Sequence, residues 1–450
     1  MPKDIAIKKG LNINLVGEAE KTVSPAPRSR TFAIRPSDFH LCTPKMAVKE
    51  GAKLQAGDTV FFSKDNGAVK FSSPVSGTLT AIERGAKRVI TRIVIEAGPQ
   101  DTYKNYGTLD VGTAPATAIK ERLLAAGCWP FIKQRPYDVV AGTETVPKAI
   151  FISAHSTAPL AANVDFTLSG KETQLQAAVT ALGKLTPGAV HVSVGSNSAS
   201  PFAQLKDIVL HKISGPHPAG NVGTQINKIA PLNKGETVWT VAAEDLVIIG
   251  NLLLTGNYNA ERIVALAGSS VKTPKYYSTR IGAAVETFIN DAGLNEAHVR
   301  VISGNPLTGT KISPKGHLGF YDTSVTVIPE GDDYELFGWN KPVFNKISTT
   351  RALTFSWLFP KKKYELDTNT NGEHRAFVVT GNYETVFPLD MYPLQLLKAC
   401  MVQDLDAMEA LGMYEVAPED FALTEFICIS KQPHQKIIRD GLDLMYKEIG

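Results

Sequence analysis

Residues 49–61 read KEGAKLQAGDTVF, and residues 72–79 read SSPVSGTL. From Gly51 to Ile95 short β segments alternate with turn residues, and no helical period runs through them. Thr59–Phe62, Val69–Phe71, Gly77–Ile82 and Val89–Ile95 read as strands separated by Gly, Pro and Ser. Val48–Gly51 and Leu54–Gly57 read as turns around one more short strand. The stretch predicts a small barrel or sandwich and makes residues 1–100 a β-rich unit.

Outward from this unit, the pattern changes at Pro115. Ala116–Ala126 is expected to be a helix with Ile119, Leu123 and Leu124 inward. Ala149–Ser153 (AIFIS), Ala189–Val194 and Asp207–Ile213 are apolar strands, and Lys171–Leu182 is a helix stopped by Gly183. Continuous apolar strands alternating with helices predict a parallel sheet covered on both faces. Residues 101–257 are therefore expected to form a Rossmann-like α/β domain. The apolar run Leu246–Leu254, interrupted by Gly250 and Asn251, is expected to be a buried strand of it.

Residues 258–335 carry strands near Arg262–Leu266, Val299–Ser303 and Ser324–Pro329, with a helix at Thr279–Asp291, as in a small β-grasp domain. Residues 336–390 are a mixed extension with aromatics at Trp339, Phe355, Trp357 and Phe359 and a polar loop at Thr368–Glu373. Residues 391–450 are expected to be helical. Met391–Gly412 shows an apolar stripe of Leu394, Leu397, Met401, Leu405 and Met408. Pro418 opens a second helix, and His434–Lys447 is a third with Ile437, Ile438, Leu442 and Met445 on one face. The fold class is thus α/β multidomain.

At 450 residues and 43% hydrophobic composition, the chain has ample length for a core and for three or four domains of roughly 100–150 residues. A net charge of +3, with no long basic stripe, argues against nucleic acid as a partner. The one tight basic run, Lys361–Lys363, reads as a solvated loop, with an anionic lipid headgroup as the alternative. The N-terminus has no apolar signal region, and no stretch approaches the roughly 18 apolar residues of a membrane span, so membrane association is expected to come through partners. Cys42, Cys128, Cys400 and Cys428 lie far apart and form neither a zinc ribbon nor a cluster-binding run. The histidines are scattered, with His211 and His217 the closest pair, and are expected on the surface or in loops. There is no GxGxxG loop, Walker A sequence or GxSxG elbow, and no catalytic triad is expected.

One segment concentrates chemistry. Residues 128–138, CWPFIKQRPYD, set Trp129, Phe131 and Tyr137 beside Lys133 and Arg135. Aromatics beside cations suit a flat, polar-headed ligand such as a quinone or flavin. They also suit packing or a protein interface, which is the preferred reading. SSPVSGTL is similar to the returning hairpin of biotinyl/lipoyl-type domains. Lys64, in SKDN, stands near the place of their modified lysine, but its neighbours depart from the biotin and lipoate motifs. A bare structural barrel-sandwich is expected.

Five stretches taken together, KEGAKLQAGDTVF with SSPVSGTL, GCWPFIKQRPYD, SGPHPAGNVGTQINKIAPLNKGETVW, NPLTGT and LGMYEVAPEDFALTEFICISK, run in order along nearly the whole chain. They resemble the NqrA family, the A subunits of the sodium-translocating NADH:quinone reductase (Nqr). More distantly, the chain is similar to the C subunit of the Rnf complex and to the NADH/flavin-binding subunit of respiratory complex I. The resemblance implies an SLBB-type β-grasp domain at residues 258–335. It also implies an accessory protein on the cytoplasmic side of the bacterial inner membrane, peripheral and docked on the other Nqr subunits, the membrane protein NqrB above all. The complex passes electrons from NADH through flavins and iron–sulfur centres to ubiquinone and exports Na+.

The distant relatives carry a glycine-rich flavin loop, GGAGFPT, where this chain has AGCWPFIKQRPYD, and an acidic segment where it has SAHSTAPL. Only Cys428 remains of the cysteine runs that hold clusters in the Rnf relative. The implied reading is a subunit without a redox cofactor, without metal or catalytic residues of its own, that contributes to quinone binding. Its candidate residues are Trp129, Phe131, Lys133, Arg135 and Tyr137, then Arg35 and Phe39. The competing readings are an oxidoreductase that itself holds flavin or NADH, and a plain binding module for a soluble ligand.

Overall fold

The computed structural model describes residues 2–332, 336, 347–348 and 353–449. The N-terminal β unit consists of two small sheets. One orders the strands Thr31–Ile34, Ile90–Ala97, Gly77–Arg84 and Lys53–Leu54; the other orders Pro44–Met46, Thr59–Ser63 and Lys70–Ser72. Val60, Phe61, Phe71, Leu79, Ile93 and Ile95 from both sheets share one core.

The expected 1–100 unit also reaches into its neighbours. Its first 25 residues serve other parts of the fold. Asp4–Ala6 pairs in parallel with Lys212–Ser214, and Glu20–Pro25 with the Lys275–Arg280 strand. Between them Leu15 bridges Tyr364.

The second domain is a seven-stranded sheet in the order Asp4–Ala6, Val209–Ser214, Val190–Gly195, Ile150–Ala154, Val238–Val241, Ile132–Arg135, Val139–Val140. The first five strands are parallel, Ile132–Arg135 runs antiparallel to them, and Val139–Val140 pairs antiparallel with Ile132–Arg135. Successive side chains of a strand point to opposite faces. Phe151 accordingly packs with Ile226 of the Val222–Ile229 helix, while Ile150 and Ile152 join Leu175 and Val179 of the Glu172–Gly183 helix. Both faces are covered, as the continuous apolar strands predict.

The run expected to be a buried strand, Leu246–Leu254, is a helix, Asp245–Thr255. It packs against the Glu172–Gly183 helix. Gly250, read as an interruption, is the contact itself: a Cβ there would stand 2.1 Å from the carbonyl oxygen of Gln174. An apolar run buried on nearly all sides has no strong period, so length is the better guide to its type.

A six-stranded sheet forms the third domain, in the order Thr310–Ile312, Val299–Ser303, Ser324–Pro329, Glu261–Ala267, Lys275–Arg280, Glu20–Pro25. The expected Thr279–Asp291 helix is shorter, Glu286–Ala292. Thr279 belongs to the preceding strand, opposite Arg262, where Tyr276, Tyr277 and Thr279 suit a pleated surface.

In the extension, Trp339 lies outside the described residues. The expected helix Met391–Gly412 is two, Pro393–Val402 and Leu405–Ala410. Gln403 turns left-handed at φ 58°, and the Asp404 side chain accepts from the Ala407 N–H at 3.0 Å to start the second. Met401, expected in the stripe, is half exposed as a result. Pro418 opens a 3-10 turn, Pro418–Phe421, that leads into a helix at Ala422–Phe426, and the last helix is His434–Glu448. Leu396, Leu397, Met408, Ile438 and Leu442 form a core that also takes in Tyr137 and Val139 from the α/β domain.

The histidine expectation holds only in part: His298 and His374 are exposed, but four others are not. His211, His217, His317 and His434 are buried, none more than 7% exposed. Each has a hydrogen-bonding partner within the protein, such as Thr424 for His434 at 2.9 Å. Among the described residues, no helix is long and apolar enough to cross a membrane.

Candidate binding cleft

From Ile150–Ala154 the chain builds the sheet in one direction, through Val190–Gly195 to Val209–Ser214, and then returns to place Val238–Val241 on the other side. Where strand order reverses, the connections leave in opposite directions and open a crevice beyond the carboxyl ends of the strands. A cavity of about 490 Å³ lies there. Ser153 and His155 follow one strand into it and Thr240–Ala243 the other; Val222, at the start of the Val222–Ile229 helix, lines it too.

Its polar groups have distinct electrostatics. Lys133 reaches it from the first antiparallel strand, its ammonium 4.5 Å from the centre of the Tyr321 ring and 3.6 Å from Asp138. His217 is 2% exposed, and burial lowers its pKa to about 4, which keeps it neutral. Thr157 Oγ1 accepts from the Gly220 N–H at 2.9 Å and shares a hydrogen bond with His217 Nδ1, 3.1 Å away. The other His217 ring nitrogen, Nε2, is buried without a hydrogen-bond partner. Asp245, paired with Arg262, is pushed by burial up to about 7, and burial also raises Glu244 beside it.

The two segments named from the sequence, residues 35–39 and 129–137, meet beside this cleft. Phe320 stands between them, 4.7 Å from Phe39 and 4.9 Å from Phe131, ring centre to ring centre. A second cavity of about 190 Å³ is lined by Phe39, and it shares Lys133, Asp138, Tyr321 and Pro418 with the first.

The individual residues divide. Phe131 and Lys133 line the main cleft. Trp129 is fully buried, donates to the Ala141 carbonyl at 2.8 Å and packs edge-on to Trp239. Arg135 is buried in ion pairs with Asp420 and Glu419. Tyr137 turns to the helical domain, 5.2 Å from Tyr446. Arg35 is held by Asp38 at 3.1 Å. Trp129, Arg135 and Tyr137 thus fit the packing reading, whereas Phe39, Phe131 and Lys133 have a cavity within reach.

In the Cys128–Phe131 segment two backbone donors are already taken within the chain. Cys128 N–H donates to Leu123 O at 2.9 Å, Phe131 N–H to Cys128 O at 3.2 Å, and Trp129 and Phe131 fill the space beside them. Sequence reasoning missed Tyr321, His155, His217 and Asp245. Two of these had a signal. His217 sits in SGPHPAGNVGTQI, and His155 in SAHSTAPL, both singled out as segments and not as sites.

Those segments share a destination. His217, Gly220 and Asn221 come from SGPHPAGNVGTQI, Asn305 and Thr308 from NPLTGT, Pro418 and Glu419 from EVAPEDF, and Phe131 and Lys133 from GCWPFIKQRPYD; all line this one cleft. Family models match the chain in three places. They are the N-terminal barrel-sandwich hybrid domain of NqrA at residues 5–98, its second alpha/beta domain at 114–258, and the NQRA C-terminal (SLBB) domain at 263–313. The A subunit of the Na(+)-translocating NADH-quinone reductase of Histophilus somni (strain 2336) is 36% identical over 447 residues, 99% of this chain and 100% of the relative. This chain belongs to the NqrA family.

Other NqrA sequences stand at the same distance. The Vibrio atlanticus (strain LGP32) protein is 36% identical over 99% of this chain and 100% of its own length, and that of Klebsiella pneumoniae (strain 342) is 36% identical with the same coverage. Among solved structures, a NAD+-reducing [NiFe]-hydrogenase in the air-oxidized state aligns at 12% identity and TM-score 0.35, covering 67% of this chain and 69% of that one. That likeness is too weak to carry an argument. The expected barrel-sandwich, α/β and SLBB domains of an NqrA protein are thus all present.

Proposed function

We propose that this chain is the accessory NqrA component of a sodium-translocating NADH:quinone reductase and that its cleft takes the quinone headgroup. The observation that carries the reading is the convergence of four of the five family-like segments on one cleft. The chemistry supports it. Tyr321 and Phe131 offer flat apolar walls, the Lys133 ammonium offers a donor to a quinone oxygen, and His217 adds a polar ring to the lining. The residues that line this cavity replace Trp129, Arg135 and Tyr137 as the ones to test.

In this reading the chain sits on the cytoplasmic side of the membrane, docked through its partners and in particular the membrane protein NqrB. It carries no redox cofactor of its own, while the assembled enzyme uses NADH, flavins, iron–sulfur centres, ubiquinone and Na+. The satisfied amides at Cys128 and Phe131 favour this over a flavin- or NADH-holding protein.

The test is the assembled complex carrying Lys133→Ala or Asn305→Ala. Loss of the cation over the ring is expected to raise the KM for ubiquinone roughly tenfold with NADH handling unchanged. An unchanged KM and unchanged quinone affinity in both variants would remove the quinone from this cleft. A purified chain coloured by flavin and reducible by NADH would overturn the accessory role.

A further inference from the structure

Residues 356–363 read SWLFPKKK. Trp357, Leu358 and Phe359 are consecutive, large and apolar, and are 61%, 51% and 62% exposed. Three such side chains in a row form an apolar ridge that a water-facing surface seldom carries without a partner.

The ridge stands on a fixed base. Phe359 N–H donates to Ser356 O at 3.3 Å and Lys362 N–H to Phe359 O at 3.1 Å, so two successive turns hold the tip. Behind it Tyr364, 4% exposed, is clamped to the N-terminal segment: its N–H donates to Asn14 O at 2.8 Å and its carbonyl accepts from Val16 N–H at 3.0 Å. Asn14 Nδ2 also donates to Pro360 O at 3.4 Å. Directly behind the ridge, Lys361 and Lys363 are exposed, and the Lys362 ammonium lies 5.2 Å from the Tyr364 ring centre. Glu18, 3.1 Å from Lys363, offsets part of their charge.

We propose that the Trp357–Lys363 tip is a membrane-interfacial anchor. Trp357, Leu358 and Phe359 enter the boundary between headgroups and acyl chains, and the lysines lie among anionic headgroup phosphates. Indole and phenyl rings favour that boundary, and a lysine cluster beside them is drawn to an anionic surface. A protein pocket is the less fitting occupant, because lysine is depleted from protein–protein interfaces whereas arginine is enriched. The anchor would give the chain a contact with lipid that is additional to its docking on membrane subunits.

The test uses the purified full chain and sedimentation with vesicles of phosphatidylcholine, with and without phosphatidylglycerol. Binding is expected to the anionic vesicles and to weaken as salt is raised. Replacing Lys361, Lys362 and Lys363 with Gln together is expected to cost about a factor of five per lysine. Trp357→Ser with Phe359→Ser is expected to abolish sedimentation, with an unchanged melting curve showing that the fold is intact. No sedimentation of the unaltered chain, or sedimentation indifferent to both sets of substitutions, would overturn the proposal. The same holds if vesicles never bind but the Trp357→Ser/Phe359→Ser chain fails to assemble with its membrane subunits in detergent, which would make the ridge a protein contact.

Discussion

Arg135 Nη1 lies 2.7 Å from Asp420 Oδ2, an ion pair between residues 285 positions apart with both side chains almost wholly buried. It ties the antiparallel edge of the α/β sheet to the 3-10 turn that opens at Pro418. The same carboxylate oxygen accepts the Ala417 N–H at 2.9 Å, and Arg135 Nη1 also reaches the Glu415 carbonyl at 3.0 Å. A buried pair of this kind is costly to halve, since the remaining charge cannot regain water. Asp420→Ala is therefore expected to lower stability by about 3–5 kcal/mol, read as a shift in the urea midpoint. Replacing both partners with apolar residues of similar volume should recover most of the loss.

Gly223 provides a second test of the same contact. A Cβ there would stand 2.2 Å from Asp420 Oδ1 and 2.4 Å from Arg135 Nη1. Gly-to-Ala within a helix usually adds up to about 1 kcal/mol of stability. Here the sign is expected to reverse, because the methyl group displaces the ion pair. A midpoint for Gly223→Ala above that of the unaltered chain would show that the pair can shift without cost.

Gly250→Ala follows the same logic at the contact between two helices. The obstacle is backbone, the Gln174 carbonyl at 2.1 Å, and backbone cannot rotate aside. A loss of about 1–3 kcal/mol is expected from overpacking, measured by thermal or urea unfolding.

The buried histidines are expected to weaken the fold as pH falls below their unfolded value. Burial lowers the pKa of His191, His217, His317 and His434 to about 4, the neighbouring His211 adding to the effect at His191 and Arg92 at His317. A histidine depressed below its unfolded value of about 6.5 favours the folded state above that pH. The contribution is lost as pH falls from about 6.5 through 4. For a well-buried one such as His434 the loss by pH 5 is about 2 kcal/mol. Asp245 and Glu419, each raised by burial to about 7, act in the opposite sense over the same window. Urea midpoints at pH 7 and pH 5 test it: acid should disfavour the unaltered chain more than His434→Gln, and an identical change in both would refute it.

The sequence is most legible where a period or a turn signal is strong. The strands around Thr59–Ser63 and Gly77–Arg84, the apolar Ile150–Ala154 strand and the terminal helix all lie within a few residues of expectation. Asp245–Thr255 reads wrongly as a strand because a helix buried nearly all round has no polar face to reveal its period. The break at Gln403 escapes notice because its left-handed turn depends on the neighbouring Asp404 cap and not on a glycine. At the site, the segment containing Phe131 and Lys133 could be named from its aromatics and cations. Tyr321 and Asp245 could not, since only the folded sheet brings them to the same cavity.

The threading of the first 25 residues has a consequence for synthesis. Asp4–Ala6 must wait for Lys212–Ser214, Glu20–Pro25 for Lys275–Ser278, and Leu15 for Tyr364. As the ribosome emits the chain, its leading end therefore stays unpaired until roughly half of the protein has emerged. It is then fastened in stages, with the Leu15 bridge last. The barrel-sandwich, whose strand partners all lie between Thr31 and Ala97, can close long before that end is tied down.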